Sequence, residues 1–418
     1  MKFKEHCFCK LSIVSNVFRS LRYKNYRLFF VGQGISLVGT WIQRIAMPWL
    51  VYHLTGSAFL LGLVGFVGQI PTFLLASFAG VLTDRYDKYY ILIITQILAM
   101  LQALALAILF FSGKINIWQI IFLNMFLGCI NAFDVPSRQS FVIEMVENKE
   151  DLGNAIALNS SMVNGARLFG PSIAGVLIAS TGEGICFLLN SLSYFFVIFS
   201  LLKVKVISGR KKNKQDMHIL KELKEGFFYT FGFAPIRSVI LLLALVSLMG
   251  MPYTVLMPVF VKEILNGGPH IFGFLMGASG FGALIGALYL ASRKNVLGYK
   301  TIIPVSAFTF GSGLIMFSLC HIYVLSIILM VIIGLSMMLQ MASSNTILQT
   351  IVDDDKRGRV MSFYTMAFMG TAPFGSLLAG GLANILGVPN TLTICGAICA
   401  LSALVFSNKL LSIKVLYK

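Results

Sequence analysis

Three stripes of polar side chains that could do chemistry run through otherwise apolar stretches of this 418-residue chain. Gln33, Thr40 and Arg44 form the first, Asn124, Asn131, Asp134 and Arg138 the second, and Ser160, Asn164 and Arg167 the third. Spacings of three, four and seven put each set on one face of a helix. An ionisable group at membrane depth costs about 2.5 to 3.5 kcal/mol on insertion scales, so each one is a functional candidate. Two deep cations, Arg44 and Arg167, stand against one acid, Asp134. That excess suits a small molecule with acidic or electron-rich groups, held by Arg167. Gln33, Asn131, Asn164 and, in the second half of the chain, Gln340 could supply hydrogen bonds. Asp134 has two readings: a proton carrier, or an ion pair with Arg138 one turn further on. Arg44 also has two, a cavity charge or a side chain that reaches for the membrane surface. The second half has no charge at depth, only Tyr253, Ser336, Gln340, Asn345 and Tyr364.

Other chemistries find no residues. There is no phosphate-binding glycine loop and no pair of histidines on one helix, and His6, His53, His218, His270 and His321 lie at or outside the ends of the apolar runs. No nucleophile and base share a face, so neither an enzyme nor a bound cofactor is expected. Cys7 and Cys9 form a lone C-x-C, too little for a metal site. Five more cysteines, Cys129, Cys186, Cys320, Cys395 and Cys399, fall in apolar runs and read as small hydrophobes.

The elements that must position these residues follow from composition. Hydrophobic residues make up 57% of the chain, charged ones 12%, and mean hydropathy is +0.84. A membrane span needs about 20 mostly apolar residues, and about twelve such runs lie between residues 29 and 408. They are too long for barrel strands, so the expected fold is an all-α integral membrane protein of twelve transmembrane helices. A basic segment, residues 1–28, precedes a first group of six spans over 29–202. A central loop, 203–236, then leads to a second group over 237–408 and a tail, 409–418. Residues 216–228 place Ile219, Leu220, Leu223 and Phe227 at helical spacing, which predicts an amphipathic helix on the membrane surface. Of 33 Lys and Arg, 29 fall in the termini and even-numbered loops, and only Lys114 and Lys262 on the other side. Both termini are therefore expected in the cytoplasm, with no cleavable leader. The net charge of +17 then faces anionic lipid and does not point to nucleic acid.

The two groups of six resemble each other. Sliding the sequence by 205 positions brings Gly153, Gly165, Gly170, Gly175 and Gly182 onto Gly358, Gly370, Gly375, Gly380 and Gly387. A parallel repeat of this kind predicts two pseudo-symmetric bundles that rock around a central site.

Between spans 2 and 3 the chain reads "AGVLTDRYDKYY", residues 79–90. With six plus six spans, this stretch resembles the signature of the major facilitator superfamily: Gly80, Leu82, Asp84, Arg85 and Lys88 match, and Asp87 stands where a second glycine is usual. "NAFDVPSRQSFV", "NAIALNSSMVNGARLFGPSIAG" and "RGRVMSFYTMAFMGTAPFGSLLAG" are similar to the transmembrane secretion effectors, the branch that includes enterobactin exporters, near the macrolide-efflux proteins. Gly170, Pro171 and Gly175 resemble the antiporter motif of span 5, with Ala174 in place of one glycine and Gly375 and Gly380 as repeat counterparts.

The resemblance implies a monomeric secondary transporter in the cytoplasmic membrane. It implies export of a small amphipathic, siderophore-like molecule by alternating access with proton antiport. An arginine often found in span 4 and an acid in span 1 are absent from this chain. Gly80, Asp84, Arg85 and Lys88 would then form a gate latch, with Asp84 set against Arg138. A multidrug or macrolide pump is the alternative cargo reading. A sensor or scaffold that contacts a partner through "DDDKRGR", residues 353–359, is the alternative of another class.

Overall fold

Lipid offers the backbone no hydrogen-bond partner, so long apolar runs must close their bonds internally. The described residues of the computed structural model, 18–204, 219–293, 298–353 and 356–411, are helical with no strand. The side chains of Ser77, Val81, Asp84, Lys149, 219–225 and 408–411 lie outside that description. So do the C-x-C of Cys7 and Cys9, the start of the amphipathic helix at 216–218, and Asp354 and Asp355.

A 3-10 turn, Arg19–Arg22, leads into α1 (Lys24–Thr55), α2 (Ala58–Arg85), α3 (Lys88–Phe111), α4 (Ile117–Glu144), α5 (Lys149–Thr181) and α6 (Glu183–Lys203). Then come α7 (Ile219–Gly232), α8 (Ala234–Glu263), α9 (Pro269–Ser292), α10 (Tyr299–Ser318), α11 (Tyr323–Ile351), α12 (Arg357–Leu386) and α13 (Val388–Leu411). Apart from α7, eleven of these are long and apolar enough to cross a membrane. The exception is α1, where Gln33, Gln43 and Arg44 lower the hydropathy; it is nonetheless 32 residues long.

The short connections are set by caps. Asp87 accepts the Tyr89 N–H at 2.9 Å and so starts α3, which explains the acid in the place of the usual glycine. Asn116 and Gln119 form a reciprocal capping box at α4, and Asn148 caps α5. Gly182 and Gly387, equivalent in the repeat, end α5 and α12 at φ of 83° and 79°, where a side chain would be strained. Two π turns, Val246–Gly250 in α8 and Met366–Gly370 in α12, interrupt the regular ladder. They face each other: the Ser247 hydroxyl donates to the Phe368 carbonyl, a backbone acceptor inside the other irregular turn.

The repeat seen in sequence governs packing. Within the first half α1 lies on α5 and α6, and α2 on α4; in the second, α9 lies on α11 and α10 on α13. The halves join through α5 against α9 and α12 against α2. Each joint is a glycine crossing. A methyl group on Gly175 would come within 2.9 Å of the Gly273 Cα, and one on Gly380 within 2.8 Å of the Gly62 Cα. Gly170 packs on Trp41 of α1, and its counterpart Gly375 on the Leu248 carbonyl of α8.

These joints lie toward the end opposite Arg22, Lys88 and Lys203, here termed the far end. There one continuous apolar core runs through both halves, from Trp49, Leu61 and Phe187 to Phe260, Phe272 and Phe317. At the basic end the first half keeps a separate core around Tyr26, Phe29, Leu92 and Phe141. Gly80, Gly153 and Gly358, near the basic end, face open space. The glycine joints between the halves therefore lie toward the far end, while the first half's core at the basic end stands apart.

Candidate functional site

Where α3 and α4 cross, Asp134 is buried and both of its oxygens are engaged. Oδ1 accepts from Gln96 Nε2 at 2.6 Å and from the Thr95 hydroxyl at 3.1 Å. Oδ2 pairs with Arg138 Nη2 at 3.0 Å. The i,i+4 spacing on α4 makes this pair, as one of the two sequence readings has it. Gln96 Oε1 is buried without a partner.

The residues expected to form a latch distribute differently. Arg138 is engaged by Asp134, and the Asp84 side chain lies outside the described residues. Lys88 pairs with Glu144 at the end of α4. Arg85 is exposed, and a methyl group on Gly80 would meet nothing within 4 Å. A described bond that crosses between the halves lies at the far end, where the Tyr52 hydroxyl of α1 donates to Glu263 Oε1 of α8 at 2.6 Å. Beside it Trp49 stacks on Phe272 of α9 at 5.9 Å.

The two deep cations lie between these levels. Arg44 is exposed although it sits well inside α1. Its guanidinium lies 5.0 Å from the Trp41 ring, the same ring on which Gly170 of α5 packs. Arg167 reaches across the halves: its Nη2 lies 4.0 Å from the Met337 sulfur of α11. Gly280 of α9 packs against the Arg167 carbonyl. Among the described residues no carboxylate lies within salt-bridge distance of Arg44 or Arg167.

The neutral candidates are mixed. Gln33 is buried, Asn131 half-buried, and Asn164 returns its amide to the Ser160 carbonyl of its own helix at 2.9 Å. Gln340, one turn from Met337, is 2% exposed and its Nε2 has no partner. Asn124 holds the Val64 carbonyl of α2 at 2.8 Å and so joins two helices.

Two arrangements escaped the sequence reading. Asn190 donates to Gln43 at 2.7 Å and Gln43 to Gln102 at 3.1 Å, a buried amide chain through α6, α1 and α3. Its polar residues at depth were visible, but they carry no charge and lie on three helices. The Tyr52 and Glu263 pair left no signal, since both residues end their spans. A groove between α3 and α4, beside Ile94, Leu98, Phe126 and Phe133, is lined by no charged residue. The unpaired cations, not concavity, mark the candidate site. Among the described residues no cluster of His, Cys, Asp or Glu could hold a metal ion. Chemically, two guanidinium groups without a carboxylate among the described residues are hydrogen-bond donors suited to an anion.

Comparison with known proteins gives three findings. Residues 15–414 match the family model described as transmembrane secretion effector. The chain is 29% identical over 392 residues to the staphyloferrin A transporter of Staphylococcus aureus, covering 93% of this chain and 98% of the relative. It is 24% identical to macrolide efflux protein A of Streptococcus pyogenes, covering 90% and 96%. Among solved structures, a bacterial homologue of the iron transporter ferroportin in an inward-facing state superimposes with a TM-score of 0.67 at 16% identity, covering 93% of this chain and 98% of that one.

Proposed function

Because the chain belongs to the transmembrane secretion effector family, and so is a multi-pass transporter of the major facilitator type, we propose that it exports a small, acidic, amphipathic molecule of the siderophore class. The observation that carries this reading is the pair of mid-depth cations, Arg44 and Arg167, which have no carboxylate within salt-bridge distance among the described residues while Asp134 is taken by Arg138. A charge at membrane depth without a partner is costly, so an anionic cargo is favoured there. The likeness to a staphyloferrin A transporter supports the same class, and that to a macrolide pump supports a neutral competitor.

The cycle we infer is alternating access between bundles 29–202 and 237–408. With both termini cytoplasmic in the cytoplasmic membrane, as the Lys and Arg bias supports, a molecule whose halves join toward the far end is open to the cell interior and ready to load. Proton antiport would supply the energy, with Asp134 the carboxylate at depth. Coupling through it requires Arg138 to release one oxygen. The transporter acts as a monomer in this scheme.

Replacing Arg167 by Gln removes a charge and keeps hydrogen-bonding capacity. A charged hydrogen bond contributes about 1.5 to 3 kcal/mol, so transport of an acidic siderophore should fall about tenfold or more. Transport of a neutral macrolide should be unchanged. Equal retention of both would remove Arg167 from cargo recognition.

A further inference from the structure

On α11, three consecutive buried polar groups lack partners: the Gln340 amide Nε2, the Ser343 hydroxyl and the Ser344 hydroxyl. Gln340 is 2% exposed and both serines are fully buried. This is unusual for membrane depth, where buried polar groups are nearly always paired. Other hydroxyls in the second half show the ordinary solution. Thr346 on the same helix donates to the Ala342 carbonyl at 3.0 Å, and Ser376 on α12 to the Ala372 carbonyl at 3.1 Å.

The position of the orphans matters more than their number. Met337 and Gln340 are three residues apart and share a face of α11, and a helical side chain leans back over the turn before its own Cα. The Gln340 amide therefore covers the turn of Met337, whose sulfur is the described contact of Arg167 Nη2. A thioether is a weak acceptor. The second half thus presents an unpartnered amide N–H one helical turn from the Met337 contact of a first-half guanidinium that has no carboxylate among the described residues. The adjacent hydroxyls, free to rotate, extend the same donor set.

Resting on the acidic-cargo reading, we propose that Gln340, with Ser343 and Ser344 behind it, forms the second-half wall of an oxyanion subsite whose other wall is Arg167. One carboxylate of the cargo is held by both halves at once. Such a ligand links the bundles by hydrogen bonds that neither half can make alone, so loading and occlusion become one event. The sequence places no cation at depth in the second half; neutral donors there let the carboxylate be shared without a second charge to hold it back on release.

The test uses the full chain in nanodiscs, with a carboxylate siderophore and its methyl ester as matched charged and neutral probes, followed by calorimetry. Gln340→Leu keeps bulk and removes the amide. It should weaken the acid about tenfold or more, the range of a charged hydrogen bond, and leave the ester unchanged. Ligand-free Gln340→Leu should melt no lower than wild type, because it removes an unpaired buried group. In a double-mutant cycle Arg167→Gln and Gln340→Leu should be non-additive toward the acid. If Arg167→Gln weakens the acid and Gln340→Leu does not, the subsite is wrong and the cation reading survives. Equal weakening of acid and ester by Gln340→Leu would also overturn it, as a loss of shape alone. If wild type does not prefer the acid over the ester, both readings fail together.

Discussion

Asp134→Asn deletes one charge and keeps the shape, leaving Arg138 in a contact that expects a carboxylate. Breaking a buried pair from one side costs about 3 to 5 kcal/mol, and the low end applies because the Arg138 side chain is still 22% exposed. We predict a lower melting temperature in detergent and loss of dependence on the proton gradient. A variant still fully driven by the gradient would reduce Asp134 to a structural role. At this scale the sequence singled out candidates but was poor about whom they meet. Arg44, Asp134 and Arg167 stood out because charge at depth is rare. The partners did not: Thr95 and Gln96 are unremarkable on α3 until α4 is laid beside it, and Gln340 gained weight only once Arg167 was seen to touch Met337.

Among elements, the glycine crossings decide how closely the halves approach. A methyl group at Gly380 would lie 2.8 Å from the Gly62 Cα and 2.9 Å from the Ala58 carbonyl, backbone that cannot step aside. Gly380→Ala should therefore spread α2 and α12 at the far end, whereas Gly80→Ala, with open space around it, should be silent in this conformation. Labelling of a cysteine placed at Ser376, in a background without other cysteines, reads this with a membrane-impermeant thiol reagent applied from the far side. Faster labelling in Gly380→Ala alone is expected; equal rates in both would contradict the crossing as a closure. Tyr52→Phe removes a hydrogen bond across the same end, about 1 kcal/mol for a partly exposed pair, and should raise labelling about fivefold.

The straps were only half legible. The 3-10 turn docks on the start of α5, where Asp151 receives Arg19 at 3.0 Å and the Tyr23 hydroxyl at 2.7 Å. In the second half α7 packs on the start of α12, with Phe227 and Phe231 against Phe363. Periodicity predicted the α7 helix correctly over its described part, but read its apolar face as meeting lipid when part of it meets α12. An apolar stripe states that it must be covered, not by what.

For the whole molecule, the all-α fold was legible because bilayer thickness fixes helix length and lipid forbids open backbone. The repeat was legible because equivalent glycines do equivalent work at the two joints. The conformational asymmetry was not, since it depends on which end of each joint is closed, and the same residues must close either end during a cycle. The most direct measurement of the central claim is transport by purified protein in liposomes with an imposed pH gradient, offering an acidic siderophore and a neutral macrolide side by side. Gradient-driven movement of the siderophore alone is the predicted result. Movement of the macrolide alone, or of both equally, would contradict the acidic-cargo account, and movement of neither would contradict transport of either class.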